Sequence, residues 1–181
     1  MRFRDTPIPG AYLVELEPRA DDRGAFTRTF CAVEYAQQGL VSAFVQANSG
    51  FSVARGTLRG LHLQLPPHAE AKTVRCIRGA VYDVIVDARP ESPAHLAWYG
   101  VELREGEPFL VYVPEGCAHG YLTLEDETEV AYQTSAAYAP DAERGIHYAD
   151  PAVGIEWPGP ILVVSERDRA WPFLDPTLAA P

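Results

Sequence analysis

One lysine stands out among the basic residues of this chain. Of the 15 lysine and arginine residues, only Lys72 is a lysine. A lysine ammonium is a compact, rotatable donor, whereas the guanidinium of arginine is a planar fork suited to bidentate pairing. Lys72 is therefore a candidate for a site that needs one positive donor, although a coding bias toward arginine could also leave a single lysine by chance.

Two histidines lie beside glycines in turn-like stretches. His62 ends the run Arg59-Gly60-Leu61-His62, and His119 follows Pro114-Glu115-Gly116-Cys117-Ala118. Imidazoles at strand ends near the mouth of a β-barrel are typical of a small-molecule pocket, and histidine titrates near neutral pH. A lone histidine is more often a satisfied polar residue, so the pattern leaves both interpretations open.

Asp168 lies in a tail, residues 151–172, that is rich in loop-forming residues. Ser165 and Asp168 have the S-x-x-D spacing of a capping box, which predicts a short helix beginning there. A tail of this kind needs a surface to pack against. A chemical role for Asp168 needs a partner that the local sequence does not name.

Short apolar segments separated by turn residues dominate the chain and predict a mostly β fold. Three hairpins are predicted, each with a tight turn, and the alternation of residues 80–87 predicts one buried face. Residues 32–38, ended by Gly39, are predicted to form a helix, while the 16 prolines disfavour long helices. These elements predict a jelly-roll-like domain. The hairpins pair segments 72–77 with 80–87, 97–103 with 108–113, and 119–124 with 128–134.

Composition limits the class of protein. The chain has 181 residues, 47% of them hydrophobic, which predicts one domain with a sizeable core. A formal charge of −10 argues against a nucleic-acid or anionic-membrane surface. We find no signal peptide or membrane span in the sequence and expect a cytoplasmic protein. Three cysteines without CxxC spacing predict inert free thiols: Cys31, Cys76 and Cys117.

The motifs resemble a known family. G-x-H-x-Q at 60–64 and P-x-G-x-x-H at 114–119 are similar to the two halves of the cupin signature. Over nearly the whole chain, the sequence resembles the dTDP-4-dehydrorhamnose 3,5-epimerase family, a metal-free cupin branch acting on nucleotide-linked 4-keto-6-deoxy sugars. The matching stretches are Asp22-Arg23-Gly24 with Phe26, Phe44-Val45-Gln46 with Asn48, Leu58-Arg59-Gly60-Leu61-His62 with Gln64, Ala71-Lys72, residues 114–120, Tyr132, Tyr138-Ala139-Pro140 and Ser165-Glu166-Arg167-Asp168.

The resemblance implies a cupin-type double-stranded jelly roll with short peripheral helices. It implies one domain over 1–181, with an N-terminal arm of about 1–50, a core of about 51–140 and a tail of about 141–181. It also implies that no cofactor is required. A homodimer is implied, in which the N-terminal segment completes the neighbouring site.

The resemblance also implies roles for individual residues. His62 would be the base, Asp168 its hydrogen-bond partner, Lys72 the donor to the C4 oxygen and Tyr132 the acid. On residue type alone, Tyr132 reads as a core aromatic with a satisfied hydroxyl. The implied contacts to the sugar nucleotide come from Arg23, Phe26, Gln46, Asn48, Arg59, His119 and Tyr138.

Two positions depart from the better-known rhamnose-pathway members. Arg28 stands where those members commonly have an acidic residue, and the chain reads Gln46-Ala47-Asn48 where they commonly read Gln-Asp-Asn. The identity of the nucleotide and of the sugar is therefore left open. Epimerisation at C3, at C5 or at both is also undecided. Two alternatives remain: a metal-dependent cupin enzyme and a non-catalytic sugar-nucleotide-binding cupin. The metal ligands would be His62, Gln64, Glu70 and His119, although glutamine is a poor ligand for a metal that prefers nitrogen.

Overall fold

The structure, a computed structural model, describes residues 1–174. Its helices are α1 (Ala32–Gln37), α2 (Glu166–Arg169) and one 3-10 turn, Pro140–Ala142. The strands are β1 (Arg2–Asp5), β2 (Tyr12–Glu15), β3 (Arg19–Asp21), β4 (Gly24–Phe26), β5 (Gln46–Ser52), β6 (Thr57–Gln64), β7 (Lys72–Arg78), β8 (Ala80–Asp87), β9 (Trp98–Arg104), β10 (Phe109–Val113), β11 (Cys117–Thr123), β12 (Thr128–Thr134), β13 (Glu143–Gly145) and β14 (Val163–Val164).

Two sheets face each other. The first has the order β1-β2-β10-β7-β12-β5, and the second has the order β13-β6-β11-β8-β9, with β14 pairing parallel to β6. Strands β3 and β4 form a separate two-stranded ribbon. The predicted all-β fold with short helices is confirmed.

The core lies between the sheets. Apolar residues of β7 and β10 in the first sheet pack against residues of β8 and β11 in the second, as the period of two in each strand requires. Fully buried members of this core include Val74, Val81, Ile85 and Val111. A second apolar layer, which includes Leu61, Val84 and Val86, packs on the outside of the second sheet beneath the C-terminal tail.

The three predicted hairpins are wrong, although their strands form close to the predicted bounds. Each tight turn carries the chain from one sheet to the facing sheet: β7 to β8, β9 to β10 and β11 to β12 are all crossings. Gly79 and Gly106 have φ values of +72° and +79° at two of these corners. A glycine turn specifies a reversal, but it does not specify whether the two strands lie side by side or face to face.

The prediction of one buried face for residues 80–87 is also wrong. Strand β8 lies between two neighbours and is covered on both sides, by the inter-sheet core and by the outer layer. Asp83 and Asp87, which alternate along β8 with Tyr82, Val84 and Val86, are 1% and 0% exposed. Their carboxylates are paired with His119 and Arg89.

The predicted helix at 32–38 is confirmed as α1, and Gly39 follows it with φ +76°. The tail packs on the second sheet, where the Trp171 ring occupies the space beside Gly145 that a side chain would fill. Within the described part of the chain, no helix is long and apolar enough to cross a bilayer.

Candidate active site

The two histidines lie opposite each other on neighbouring strands. His62 of β6 pairs in register with His119 of β11, and Arg59 pairs with Tyr121. Residues 59 and 62 are three apart, so a regular strand would point them to opposite faces. The register shifts between the two pairs, and this irregularity brings both Arg59 and His62 to one cavity.

Two glycines permit the irregularity. Gly60 has φ +127°, and a Cβ placed on it would lie 2.6 Å from the Cα of Gly120. The backbones of β6 and β11 therefore meet at a distance that only glycine allows at position 60. This close approach of the two strands explains why the matched motifs have glycine at positions 60 and 120.

Asp168 reaches His62 from the tail. Its Oδ1 lies 2.6 Å from His62 Nε2, and the backbone N–H of Gly60 points at its Oδ2 from 3.3 Å. Ser165 Oγ accepts a hydrogen bond from the Asp168 amide at 3.0 Å, so the predicted helix cap is confirmed. The cap and the histidine contact use different atoms of Asp168, and both exist together.

The charge state of Asp168 suits an acid–base pair. Burial alone raises the pKa of this carboxyl, but hydrogen bonds and the charge interaction with His62, aided by Gly60 and Ser165, hold the pKa below its ordinary value. The carboxylate accepts from His62 Nε2–H, which leaves Nδ1 free to take a proton. A carboxylate behind an imidazole fixes its tautomer and its orientation.

Lys72 begins β7 and is 7% exposed. Its Nζ lies 3.1 Å from Glu70 Oε1 and donates to the carbonyl oxygen of His62 at 3.2 Å. The amide of Gln64 donates to the other oxygen of Glu70 at 3.2 Å. The ammonium is therefore held at a fixed point of the cavity wall, beside the histidine.

Two adjoining cavities of about 540 and 330 Å³ meet at His62, Lys72 and Tyr132. His62 belongs to the second sheet, whereas Lys72 and Tyr132 belong to the first. Burial raises the pKa of the Tyr132 phenol, which therefore stays protonated at neutral pH. An imidazole and a protonated phenol thus stand on facing walls.

Nine of the eleven predicted site residues line these cavities. The structure does not bring Arg23 and Phe26 there. Both lie in or beside the β3–β4 ribbon, where Phe26 is 71% exposed and Arg23 pairs with Asp21. The residues that do line the cavities are His62, Lys72, Tyr132, Asp168, Arg59, His119, Gln46, Asn48 and Tyr138.

Neither of the two departures noted in the sequence lines these cavities. Ala47 lines a neighbouring depression on the first sheet, which shares Asn48 and Tyr132 with the smaller cavity. Ala47 and Gln46 lie on opposite faces of β5. Arg28 pairs with Glu34 at 3.1 Å.

Among the cavity-lining residues that sequence reasoning missed are Glu143, Tyr121 and Arg167. Glu143 is buried and accepts a hydrogen bond from the Tyr138 hydroxyl at 2.6 Å, and Arg167 also pairs with it. Tyr121 is 6% exposed and lines the larger cavity. Tyr121 and Arg167 stand beside or within matched motifs, which was the available signal, whereas nothing local marks Glu143.

The proposed metal ligands are engaged elsewhere. His62 pairs with Asp168, His119 Nε2 lies 2.8 Å from Asp83, and Glu70 pairs with Lys72. Among residues 1–174, no group of three or more histidine, cysteine or acidic side chains is arranged to hold a metal ion.

The fold and this site define a cupin-type jelly roll with an acid–base pocket for a small molecule. The chain belongs to the dTDP-4-dehydrorhamnose 3,5-epimerase family, whose model matches residues 5–176. The resemblance stated from the motifs is confirmed.

Similar proteins include epimerases of two regiochemistries. A dTDP-4-dehydrorhamnose 3,5-epimerase of Methanothermobacter thermautotrophicus is 42% identical over 94% of this chain and 92% of its own. A dTDP-4-dehydrorhamnose 3-epimerase of Streptomyces niveus is 39% identical over 93% and 82%. A crystal structure of dTDP-6-deoxy-D-glucose-3,5-epimerase from Legionella pneumophila, in complex with dTDP-4-keto-L-rhamnose, is 35% identical with a TM-score of 0.89 over 98% and 96%.

Proposed function

We propose that this protein is an isomerase that epimerises a dTDP-linked 4-keto-6-deoxy sugar at C3, C5 or both. The observation that carries the proposal is the arrangement of His62, paired with Asp168, across one cavity from Tyr132, with Lys72 beside them. The relatives are named for epimerisation of dTDP-sugars, which favours this function over a metal-dependent cupin enzyme.

The first step is proton loss next to the ketone. His62 Nδ1 takes the proton from the sugar carbon, and the electrons of the C–H bond move to the C4 oxygen and form an enolate. The Lys72 ammonium is a fixed positive donor for this oxygen. Asp168 stabilises the imidazolium that forms.

The second step returns a proton to the other face of the enolate. Tyr132 stands on the facing sheet and is a protonated donor at neutral pH, as inversion requires. To reset the site, the His62 imidazolium releases its proton to solvent and the Tyr132 phenolate takes one up from solvent. Because substrate and product have the same composition and oxidation state, we propose that the reaction needs no redox cofactor.

The remaining residues of the cavities fit a nucleoside diphosphate. We propose that Arg59 contacts the diphosphate, since arginine matches phosphate oxygens in geometry and charge, and that His119 lines this part of the site. Gln46 and Asn48 lie around the smaller cavity and would contact phosphate or sugar oxygens, and the ring of Tyr138 lines the same cavity.

Proton NMR in deuterated water tests the function. With dTDP-4-keto-6-deoxyglucose as substrate, we expect signals at C3, C5 or both to disappear as solvent deuterium enters. The pattern distinguishes a 3,5-epimerase from a mono-epimerase. If no position exchanged although the sugar nucleotide bound, the protein would be a non-catalytic binding cupin.

Replacing Tyr132 with phenylalanine should separate proton loss from inversion. His62 is intact in this variant, so exchange at the carbon next to the ketone should continue, whereas the epimeric product should form more slowly. NMR exchange and product analysis by chromatography of the same reaction give the two rates. Equal losses in both rates would contradict the role of Tyr132 as the acid.

We further propose a homodimer in which Arg23 and Phe26 enter the neighbouring subunit's site. Both residues are exposed and lie outside the cavities of their own chain. Strand β5 is the edge of the first sheet, and large apolar side chains are exposed on and beside it, including Phe51 and Val53. Such surfaces are typical of protein interfaces.

Mixing two inactive variants tests this arrangement. Arg23→Ala and His62→Ala proteins, each of low activity alone, should regain activity when subunits exchange, because a mixed dimer has one intact site. Random mixing would restore about a quarter of the sites in a two-fold symmetric dimer. A monomer in sedimentation analysis, or no recovery despite subunit exchange, would refute the proposal.

We also propose that residues 1–181 form one domain and that the enzyme works in the cytoplasm. The cysteines are free among the described residues, and burial raises the pKa of the Cys76 and Cys117 thiols to about 11 and 12. Inert free thiols are typical of a reducing compartment. The last part of the predicted tail, 175–181, lies outside the described residues.

A further inference from the structure

Tyr121 of β11 lies among the residues of the candidate active site. It lies directly across from Arg59 on β6, two residues along β11 from His119. Its ring centroid is 6.4 Å from that of His119, and it lines the same cavity as His62. Tyr121 therefore lies beside Arg59, the proposed diphosphate contact, in the cavity that His62 also lines.

The Tyr121 hydroxyl reaches across the interior to the facing sheet. A Cβ placed on Gly50 of β5 would lie 2.9 Å from this oxygen. Gly50 also lines the cavity. The absence of a side chain at position 50 therefore leaves the room that the hydroxyl occupies.

The hydroxyl is available as a donor. Within the described residues 1–174, the Tyr121 hydroxyl makes no hydrogen bond. It is not fully buried, unlike the unpaired hydroxyl of Tyr35, and Tyr121 lines the cavity. Burial raises the pKa of Tyr121 to about 12, so the phenol is neutral at physiological pH. A desolvated donor that opens only to a cavity is best satisfied by a polar atom of a ligand.

We propose that Tyr121 is a substrate-binding residue whose hydroxyl donates a hydrogen bond to an oxygen near the sugar–diphosphate linkage. This inference rests on the proposed function. Two sources of such an oxygen exist: the diphosphate beside Arg59 and a ring hydroxyl of the sugar. In either case the bond orients the sugar relative to His62 without taking part in proton transfer.

The Tyr121→Phe variant tests the inference, with Tyr35→Phe as the matched control. Tyr35 is 0% exposed, and its unpaired hydroxyl is buried in a different apolar cluster. The control substitution therefore removes a tyrosine hydroxyl that does not belong to the site. Loss of one hydrogen bond should lower kcat/KM roughly 3- to 10-fold, mainly through KM. The control should keep wild-type kinetics.

Titration with dTDP alone distinguishes the two sources of the oxygen. Weaker dTDP binding by Tyr121→Phe indicates a contact to the diphosphate. Unchanged dTDP binding with a raised KM for the sugar nucleotide indicates a contact to the sugar hydroxyl.

Gly50→Ala adds a second, independent readout. The new methyl group crowds the Tyr121 hydroxyl, so it should lower kcat/KM in the wild-type background and have a smaller effect in the Tyr121→Phe background. Wild-type values of kcat, KM and dTDP affinity in a folded Tyr121→Phe protein would overturn the inference.

Failure of the proposed function would give a different result. A wild-type protein that catalysed no exchange would refute that function. Titration with the complete sugar nucleotide, which carries both candidate oxygens, would then decide the inference by itself: weaker binding by Tyr121→Phe would support it, and equal binding would overturn it.

Discussion

Replacing His62 with alanine should lower the rate of deuterium exchange into the substrate by roughly 10² to 10⁴, the usual contribution of a positioned general base. Nδ1 of His62 is the nitrogen left free by the 2.6 Å contact with Asp168. The His62 side chain is 31% exposed and contributes little to the core, so the variant should fold. Exchange measured by NMR reports proton abstraction directly, without depending on the later protonation step.

The matched control is His147→Ala. His147 stacks on Tyr148 in the tail and does not line either cavity, so its removal should leave exchange unchanged. Normal exchange in His62→Ala would show that another group removes the proton. A loss of dTDP binding as large as the loss of exchange would show that His62 acts in binding.

Replacing Lys72 with methionine should lower kcat by roughly 10² to 10³, the usual cost of removing one donor from an oxyanion site. Methionine keeps much of the length of the side chain but removes the charge. The expected loss lies in kcat because the enolate charge develops only in the transition state. Steady-state kinetics on the ketosugar measure it.

Two further variants of this position sharpen the test. Lys72→Met leaves Glu70 buried without its partner, which can destabilise the protein on its own account. The double variant Lys72→Met/Glu70→Gln removes both charges, and it should remain as inactive as the single variant while regaining stability. Lys72→Arg restores charge with planar geometry and should recover little activity. Full activity in any of the three would contradict the assignment.

The histidine–aspartate pair shows which features of the site the local sequence predicts and which ones depend on the tertiary structure. Local spacing predicted the Ser165 cap, which places Asp168 at a helix start, but no local signal links residue 168 to residue 62. That link came from the family resemblance, and the structure supports it with a direct contact. The two residues are 106 positions apart, and only packing of the tail on the second sheet brings them together.

The strands show the same division. Period-two apolar patterns depend on nearest neighbours, so the strands from β7 to β12 were predicted close to their observed bounds. Pairing depends on which face of each strand finds an apolar partner elsewhere in the chain, and turns such as the one at Gly79 are equally compatible with either outcome. The predicted hairpins were wrong for this reason.

The sequence by itself determined the types of residue available for chemistry, the segments that form strands, and the family to which the chain belongs. The tertiary structure alone decided that Arg59 and His62 share one cavity, that Arg167 lines this cavity and Glu143 the adjoining one, and that Tyr121 points its hydroxyl at Gly50. It also placed Arg23 outside the site of its own chain. The physical reason is that residue type and strand period are local properties, whereas cavity walls form from strands of both sheets that meet only when the whole domain packs.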